Sequence, residues 1–239
     1  MIGSSTDKAM NYDAANTGLT IRNGEHTVFR IIHCPGGERK EQFPQKIEVQ
    51  AGGSLEIIIV SVPGSDRADK FSLASDIRLS GEGAACKVSG AILCNGNSTS
   101  DIHLDIRHVS AGCSSTQSFR TIAAGNAKCA FHGKIIVSPG AQKTEAYQES
   151  HSILLNENAK VETLPQLEIY ADDVKCSHGA TIGKLDENEI FYMRSRGIPE
   201  KQAREILLQA FVSPVIELIP ESTEKEYIKQ HVNNFFTSI

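Results

Sequence analysis

Two residues in the C-terminal third invite a chemical reading. Cys176 and His178 stand two apart at the end of the strand-like run from Glu168 to Gly183. If that run is extended, side chains at i and i+2 share a face, so the thiol and the imidazole point the same way. A thiolate beside an imidazole suits a soft metal or an iron–sulfur cluster. The competing reading is a half-buried cysteine and a histidine bonded to backbone, and spacing alone favours it.

Other candidates are weaker. The remaining cysteines, Cys34, Cys86, Cys94, Cys113 and Cys129, form no C-x-x-C, so neither a zinc ribbon nor a ferredoxin-type site is legible. They read as small buried hydrophobes. His103, His108, His132 and His151 show no His-x-His or Glu-x-x-His pairing that raises a zinc site. Asp101, Asp105, Glu145, Glu149, Asp172 and Asp173 offer carboxylates for acid–base work on a polysaccharide. Carbohydrate enzymes present aromatic platforms, however, and this chain has no Trp and 6% aromatics. No phosphate-cradling G-x-x-x-x-G-K-[ST] and no G-x-S-x-G elbow occurs.

Composition narrows the class. The chain has 239 residues, enough for a real core. Asp and Glu number 29 against 24 Lys and Arg, with no basic block, which argues against nucleic acid as the main partner. No run of 18 apolar residues exists, and the polar start (Ser4, Ser5, Thr6, Asp7, Lys8) has no signal-peptide character. The expected setting is cytoplasmic and reducing.

The elements that would position Cys176 and His178 come from a repeat. Ala85, Thr99, Cys113, Ala127 and Ala141 are spaced by 14. Each block holds about eight to ten strand-compatible residues and then a turn: Asn95 to Ser98, Ser110 to Gly112, Ala124 to Asn126, Ser138 to Gly140. The next such turn, Asn156 to Ala159, comes later than the spacing demands. Two blocks would make one flattened coil of 28 residues in a solenoid, and a β-sandwich fits the pattern about as well. Ile57 to Val60 reads as a buried strand.

From Asp186 the pattern turns helical. Asp186 and Glu189 form a capping signature, with Asp186 expected to accept from the amide three residues on. Gly197 suits the residue after a helix end, Pro199 the first turn of the next helix, and Ser213-Pro214 its end or a bend. A last helix over about Ser222 to Phe236 presents Tyr227, Ile228, Val232, Phe235 and Phe236. Val212, Val215, Ile216, Leu218 and Ile219 exceed what a small helical tail can hide and suggest contact surface. The expected division is a tail over 1–19, a β-rich core over 20–185 and a helical region over 186–239.

The segment Leu164-Pro-Gln-Leu-Glu-Ile-Tyr-Ala-Asp-Asp-Val-Lys-Cys-Ser-His-Gly-Ala-Thr-Ile-Gly183, then Phe191-Tyr-Met-Arg-Ser-Arg-Gly-Ile198 and Ala203-Arg-Glu-Ile-Leu-Leu-Gln-Ala-Phe211, resembles the C-terminal part of the SufB/SufD family, closer to SufD. That family assembles iron–sulfur clusters. The resemblance implies a mainly β fold, a right-handed parallel β-helix followed by a small α-helical region, and so favours the solenoid. It implies a non-catalytic scaffold subunit rather than an enzyme, working with a SufC-type ATPase and a SufB-like chain or a second copy. His178, with Cys176, would sit at that interface. Because two ligands cannot satisfy four-coordinate iron, a transient cluster would be shared across it. Arg194, Arg196, Gly197, Ile198, Arg204 and Phe211 would dock the ATPase; their simpler reading is a solvated helix end. A rival is a docking subunit that binds the ATPase without iron. Family members carry an N-terminal helical domain, whereas here the β-rich region begins by about Thr20, so the expectation is a short homologue that pairs with itself.

Overall fold

The computed structural model describes residues 18–35, 43–64 and 68–239. The stretch 4–8 and most of the expected tail lie outside the described residues. Twelve strands follow in chain order: β1 (Gly18–Ile21), β2 (His26–His33), β3 (Lys46–Val49), β4 (Ser54–Ser61), β5 (Lys70–Leu79), β6 (Ala85–Cys94), β7 (Thr99–His108), β8 (Ser114–Ala123), β9 (Lys128–Val137), β10 (Thr144–Leu154), β11 (Lys160–Ile169) and β12 (Val174–Gly183). Odd strands form one six-stranded sheet and even strands a second. Each described ladder is parallel and joins a strand to the next but one, as β6 to β8. A sandwich pairs its strands antiparallel, so the solenoid reading holds and the sandwich does not.

The coil is not a constant 28. Paired positions lie 28 residues apart at His26 and Ser54, 29 at Asn97 and Asn126, 31 at Gln117 and Gln148, and 30 at His151 and Thr181. Corners absorb the extra residues, because strand register is pinned by burial. Along β7 the pattern alternates as expected: Ser100, Ile102, Leu104, Ile106 and His108 face the lumen, and Asp101, His103 and Asp105 face outward. Small residues let the lumen close. A Cβ on Gly90 would stand 2.4 Å from the ring of Phe119, its ladder partner and a fully buried side chain.

β4 breaks the alternation, since Ile57 to Val60 are all buried. Both faces of the second sheet are covered there. Helices α2 (Glu200–Ile216) and α3 (Thr223–Ser238), with the turn between them, lie outside it, packing Leu208, Val212, Val215, Ile216, Ile219, Ile228, Val232, Phe235 and Phe236 onto Ile58, Val60, Ala91, Leu93 and Ile122. Each such side chain contributes roughly 1.5–3 kcal/mol by leaving water. This corrects the expectation that Val212, Val215, Ile216 and Ile219 belong to a contact surface: the β-solenoid itself hides them.

Two helix-end readings also change. The Asp186 carboxylate caps α1 (Glu187–Ser195) by accepting from the Asn188 amide at 2.8 Å, one residue earlier than expected. Pro214 does not end α2, which runs on to Ile216. A proline there cannot donate to the Ala210 carbonyl, and the Ser213 hydroxyl donates to that oxygen instead at 3.0 Å.

Candidate functional site

Cys176 and His178 both lie on β12, in two lumen rows that climb the second sheet one rung at a time. One row runs Cys86, Ser115, Ala146, Cys176; the other runs Val88, Gln117, Gln148, His178. The shared face expected from i and i+2 spacing is therefore the lumen face. Gln148 Nε2 donates to Gln117 Oε1 at 3.2 Å, while Gln148 Oε1, the next rung below His178, is buried without a partner among the described residues.

β12 ends its sheet, as β11 ends the other. No further described rung covers them, so the lumen opens here. His178 is exposed and Cys176 half-buried, packed against the small cluster of Ile135, Val137, Ala141 and Ala146. The other five cysteines are buried. Burial pushes the Cys86 and Cys34 thiols up to about 12, and Cys129 is raised further by a hydrogen bond with Cys94 and by burial. These stay protonated and inert. Cys176 is raised too, chiefly by burial and less than it would be without the Ala146 backbone contact; an approaching metal or cation would be needed to ionise it.

Large apolar side chains lie exposed at the mouth: Leu164, Ile169 and Ile182 on the last two strands, with Tyr170 at 61% in the turn between them. Farther along the chain, α1 exposes Phe191 and Tyr192 at 71% and 60%. Two open strand edges flanked by such residues are what a docking surface looks like. Sequence reasoning named none of these as site residues. For Leu164, Ile169 and Ile182 the signal was available only as strand character continuing through β11 and β12 with nothing left to bury it.

The arginine cluster divides. Gly197, at φ 87°, closes α1 with its own amide on the Arg194 carbonyl and the Ile198 amide on the Met193 carbonyl. Arg204 is a tie within the helical region, reaching Glu200 at 3.1 Å and Glu187 at 3.2 Å. Arg194 meets Glu200 at 3.3 Å, Arg196 lies over the Tyr192 ring at 5.3 Å, and Phe211 sits under Arg120 at 5.6 Å. Arg196 and Gly197 are exposed and Ile198 half-exposed, all beside the Phe191 and Tyr192 patch in sequence.

The remaining histidines and acids separate. His108 is fully buried, bonded through Nε2 to Ser115 Oγ at 2.8 Å, and burial lowers it to about 4. His151 meets Thr181 Oγ1 at 2.8 Å on the outer face of the second sheet. Asp101 and Asp105 are on β7 in one sheet, Glu145 and Glu149 on β10 in the other. The cavity of about 660 Å³ between the corner at Asn95 and Asn156 and the helix ends at Glu200 and Phe236 contains none of the six acids considered for carbohydrate chemistry. His103 and His132, in contrast, are ladder partners, a pairing that the sequence reading did not find.

No helix among the described residues is long and apolar enough to cross a membrane. The family model for the SUF system FeS cluster assembly SufBD core domain matches residues 45–211. The chain is 36% identical over 151 residues to the iron–sulfur cluster assembly protein SufD of Escherichia coli, covering 63% of this chain and 36% of the relative. An iron–sulfur cluster assembly SufBD family protein of Synechocystis is 37% identical over 138 residues, 58% of this chain and 30% of the relative. One from Pyrococcus horikoshii is 29% identical over 171 residues, 72% of this chain and 37% of the relative. The chain thus spans about a third of the length of these curated relatives. With the matched model covering β3 to α2, lumen rows and open end included, this chain belongs to the SufBD core family of SUF-system iron–sulfur cluster assembly proteins.

Proposed function

We propose that the chain is a non-catalytic scaffold component of SUF-type iron–sulfur cluster assembly, and that its open end is where a cluster is built. The observation that carries this is the placement of Cys176 and His178 side by side on the lumen face of the last strand. A second chain docking edge to edge continues both sheets, covers Tyr170, Ile182 and Leu164, and brings the ligands that two side chains cannot supply. The second chain is a SufB-like subunit or another copy of this one. A SufC-type ATPase docks on the helical region, where Arg196, Gly197 and Ile198 adjoin the exposed aromatics of α1. Nucleotide-driven movement of that ATPase strains the scaffold pair, and the stacked coils transmit the motion as a stiff rod.

The test is anaerobic co-purification with the SufC-type ATPase and a SufB-like chain, with mass, iron and sulfide measured for the wild type and His178→Ala. Iron and sulfide in stoichiometric complex, lost on the substitution, support the reading. An intact complex whose iron is unchanged by His178→Ala and Cys176→Ala leaves a docking subunit that ligates nothing. Absence of any complex removes the helical region from its docking role.

A further inference from the structure

On the outer face of the first sheet, away from β12, three side chains converge that the assembly reading does not use. Asp101 and His103 stand two apart on β7 and so share the outward face. His132 is the direct ladder partner of His103 on β9. The two imidazoles stack with centroids 4.2 Å apart and planes 7° from parallel. Asp101 Oδ1 lies 2.9 Å from His103 Nε2. One ligand atom from each residue lies within 4.8 Å of the others, and among the described residues no other group of three such side chains does so.

We infer that Asp101, His103 and His132 form a binding site for a divalent first-row transition metal. Two imidazole nitrogens and one carboxylate oxygen suit Zn(II) or Fe(II), and lack the soft sulfur that copper(I) prefers. Ligands on one such ion sit about 3–3.5 Å apart. Turning the exposed His103 ring and the half-buried His132 ring about their side-chain torsions closes that gap, with His132 tilting out of the stack so that both lone pairs converge. Ser72 and Ala74 on β5 and Ala130 on β9, the ladder neighbours of Asp101 and His103, place small groups on that face, and Leu164 on β11, the ladder partner of His132, borders the site on its other side. Along the same outer faces Arg107 pairs with Asp76 at 3.1 Å and Lys134 with Glu168 at 2.7 Å. The Asp101 carboxylate pairs with His103, itself a member of the triad.

The site is distinct from the proposed assembly site. Cys176 and His178 belong to the second sheet and face the lumen; this triad belongs to the first sheet and faces out. Calorimetric titration of the full chain with Zn(II), and with Fe(II) without air, is the test. Co(II) absorption serves as a coordination reporter. One ion per chain is expected, with Zn(II) tighter than Fe(II). His103→Ala and His132→Ala should each weaken binding at least about tenfold, the order of loss known even for groups behind metal ligands. Asp101→Asn should change the Co(II) spectrum, and His151→Ala, on the outer face of the second sheet, should leave binding as it was. Asp101 and His103 are exposed and His132 half-buried, all on the outer face, and an unchanged melting temperature certifies the fold of each variant. Wild-type affinity in the His103→Ala, His132→Ala double variant overturns the inference, as does binding that disappears with His178 instead, or no binding at all.

Discussion

Gln148 and His178 stand one rung apart in a single lumen row, yet Gln148 is fully buried and His178 is exposed. Ala146 and Cys176 repeat the contrast in the next row. Backbone, face and register are the same; what differs is whether another rung follows. In the middle coils a lumen position is a packing problem, solved by Ile102, Leu104, Phe119 and glycines. On the last coil the same position is chemically available. A solenoid therefore creates a reactive edge without any special loop, simply by stopping.

Histidine sharpens the contrast most. His108 occupies a lumen position in the middle of the rod, with Nδ1 lacking a partner among the described residues. Burial lowers it from 6.5 to about 4. In the unfolded chain it protonates near 6.5, so the unfolded state binds the extra proton as pH falls and the native state loses stability between those values. The loss should reach on the order of 3 kcal/mol by pH 4. Denaturant unfolding across that window, compared with His108→Leu, checks it. The variant should lose that part of the slope; parallel curves for both proteins would show that His108 is not the group responsible.

Glycine makes the same comparison sterically. Gly90→Ala drives a methyl to 2.4 Å from the buried Phe119 ring, which is itself held 4.2 Å from Phe131. It should cost about 1–3 kcal/mol. On β12, a Cβ on Gly179 meets nothing within 4 Å, and Gly179→Ala should stay within about 0.5 kcal/mol. Equal melting temperatures for the two variants would break the distinction between closed and open rungs.

The open rung should answer to charge where the closed ones answer to volume. Ile182 is exposed, whereas its ladder partner Ser152 is buried. Ile182→Lys should leave the melting temperature unchanged and weaken association of the proposed scaffold pair by about tenfold, or 1.4 kcal/mol. Sedimentation with the wild type as reference reads this directly. Undiminished association would move the interface elsewhere.

How much of this was legible follows from the same geometry. Alternation and turn residues announce the strands, and Cys176 with His178 on one face needs only a period of two. Coil length is a different matter. A strict 28-residue coil sets His103 beside Phe131, which faces the lumen. The observed register sets it beside His132, which faces out. One extra residue at a corner thus hid the Asp101, His103 and His132 group, since a slip of one exchanges the faces of a strand. The burial of Val212 and Ile216 was hidden for another reason. A helix shows its apolar stripe in sequence but not what the stripe will meet, and β4 offers a second apolar face only because Ile58 and Val60 interrupt alternation. Pro214 misled because a neighbouring hydroxyl replaced the missing donor.

One corner column carries the comparison to its smallest effect. Gly24, Gly52, Gly83 and Gly112 all adopt positive φ, and each amide donates to a carbonyl of the following coil. The next corner, which meets the last coil, has Lys143 in that conformation at φ 58°, with its amide on the Asp173 carbonyl. A side chain in the left-handed region costs roughly 1–2 kcal/mol. Lys143→Gly removes that strain but adds freedom to the unfolded chain worth about 0.5–1 kcal/mol. The net gain should be under about 1 kcal/mol, a rise of roughly 1–4 °C in melting temperature for a chain of this size. Lys143→Ala keeps the Cβ and should gain nothing, which separates backbone strain from the loss of a charge. An equal rise in both variants would assign the effect to the ammonium group instead, and the last corner would then differ from the others in charge rather than in conformational cost.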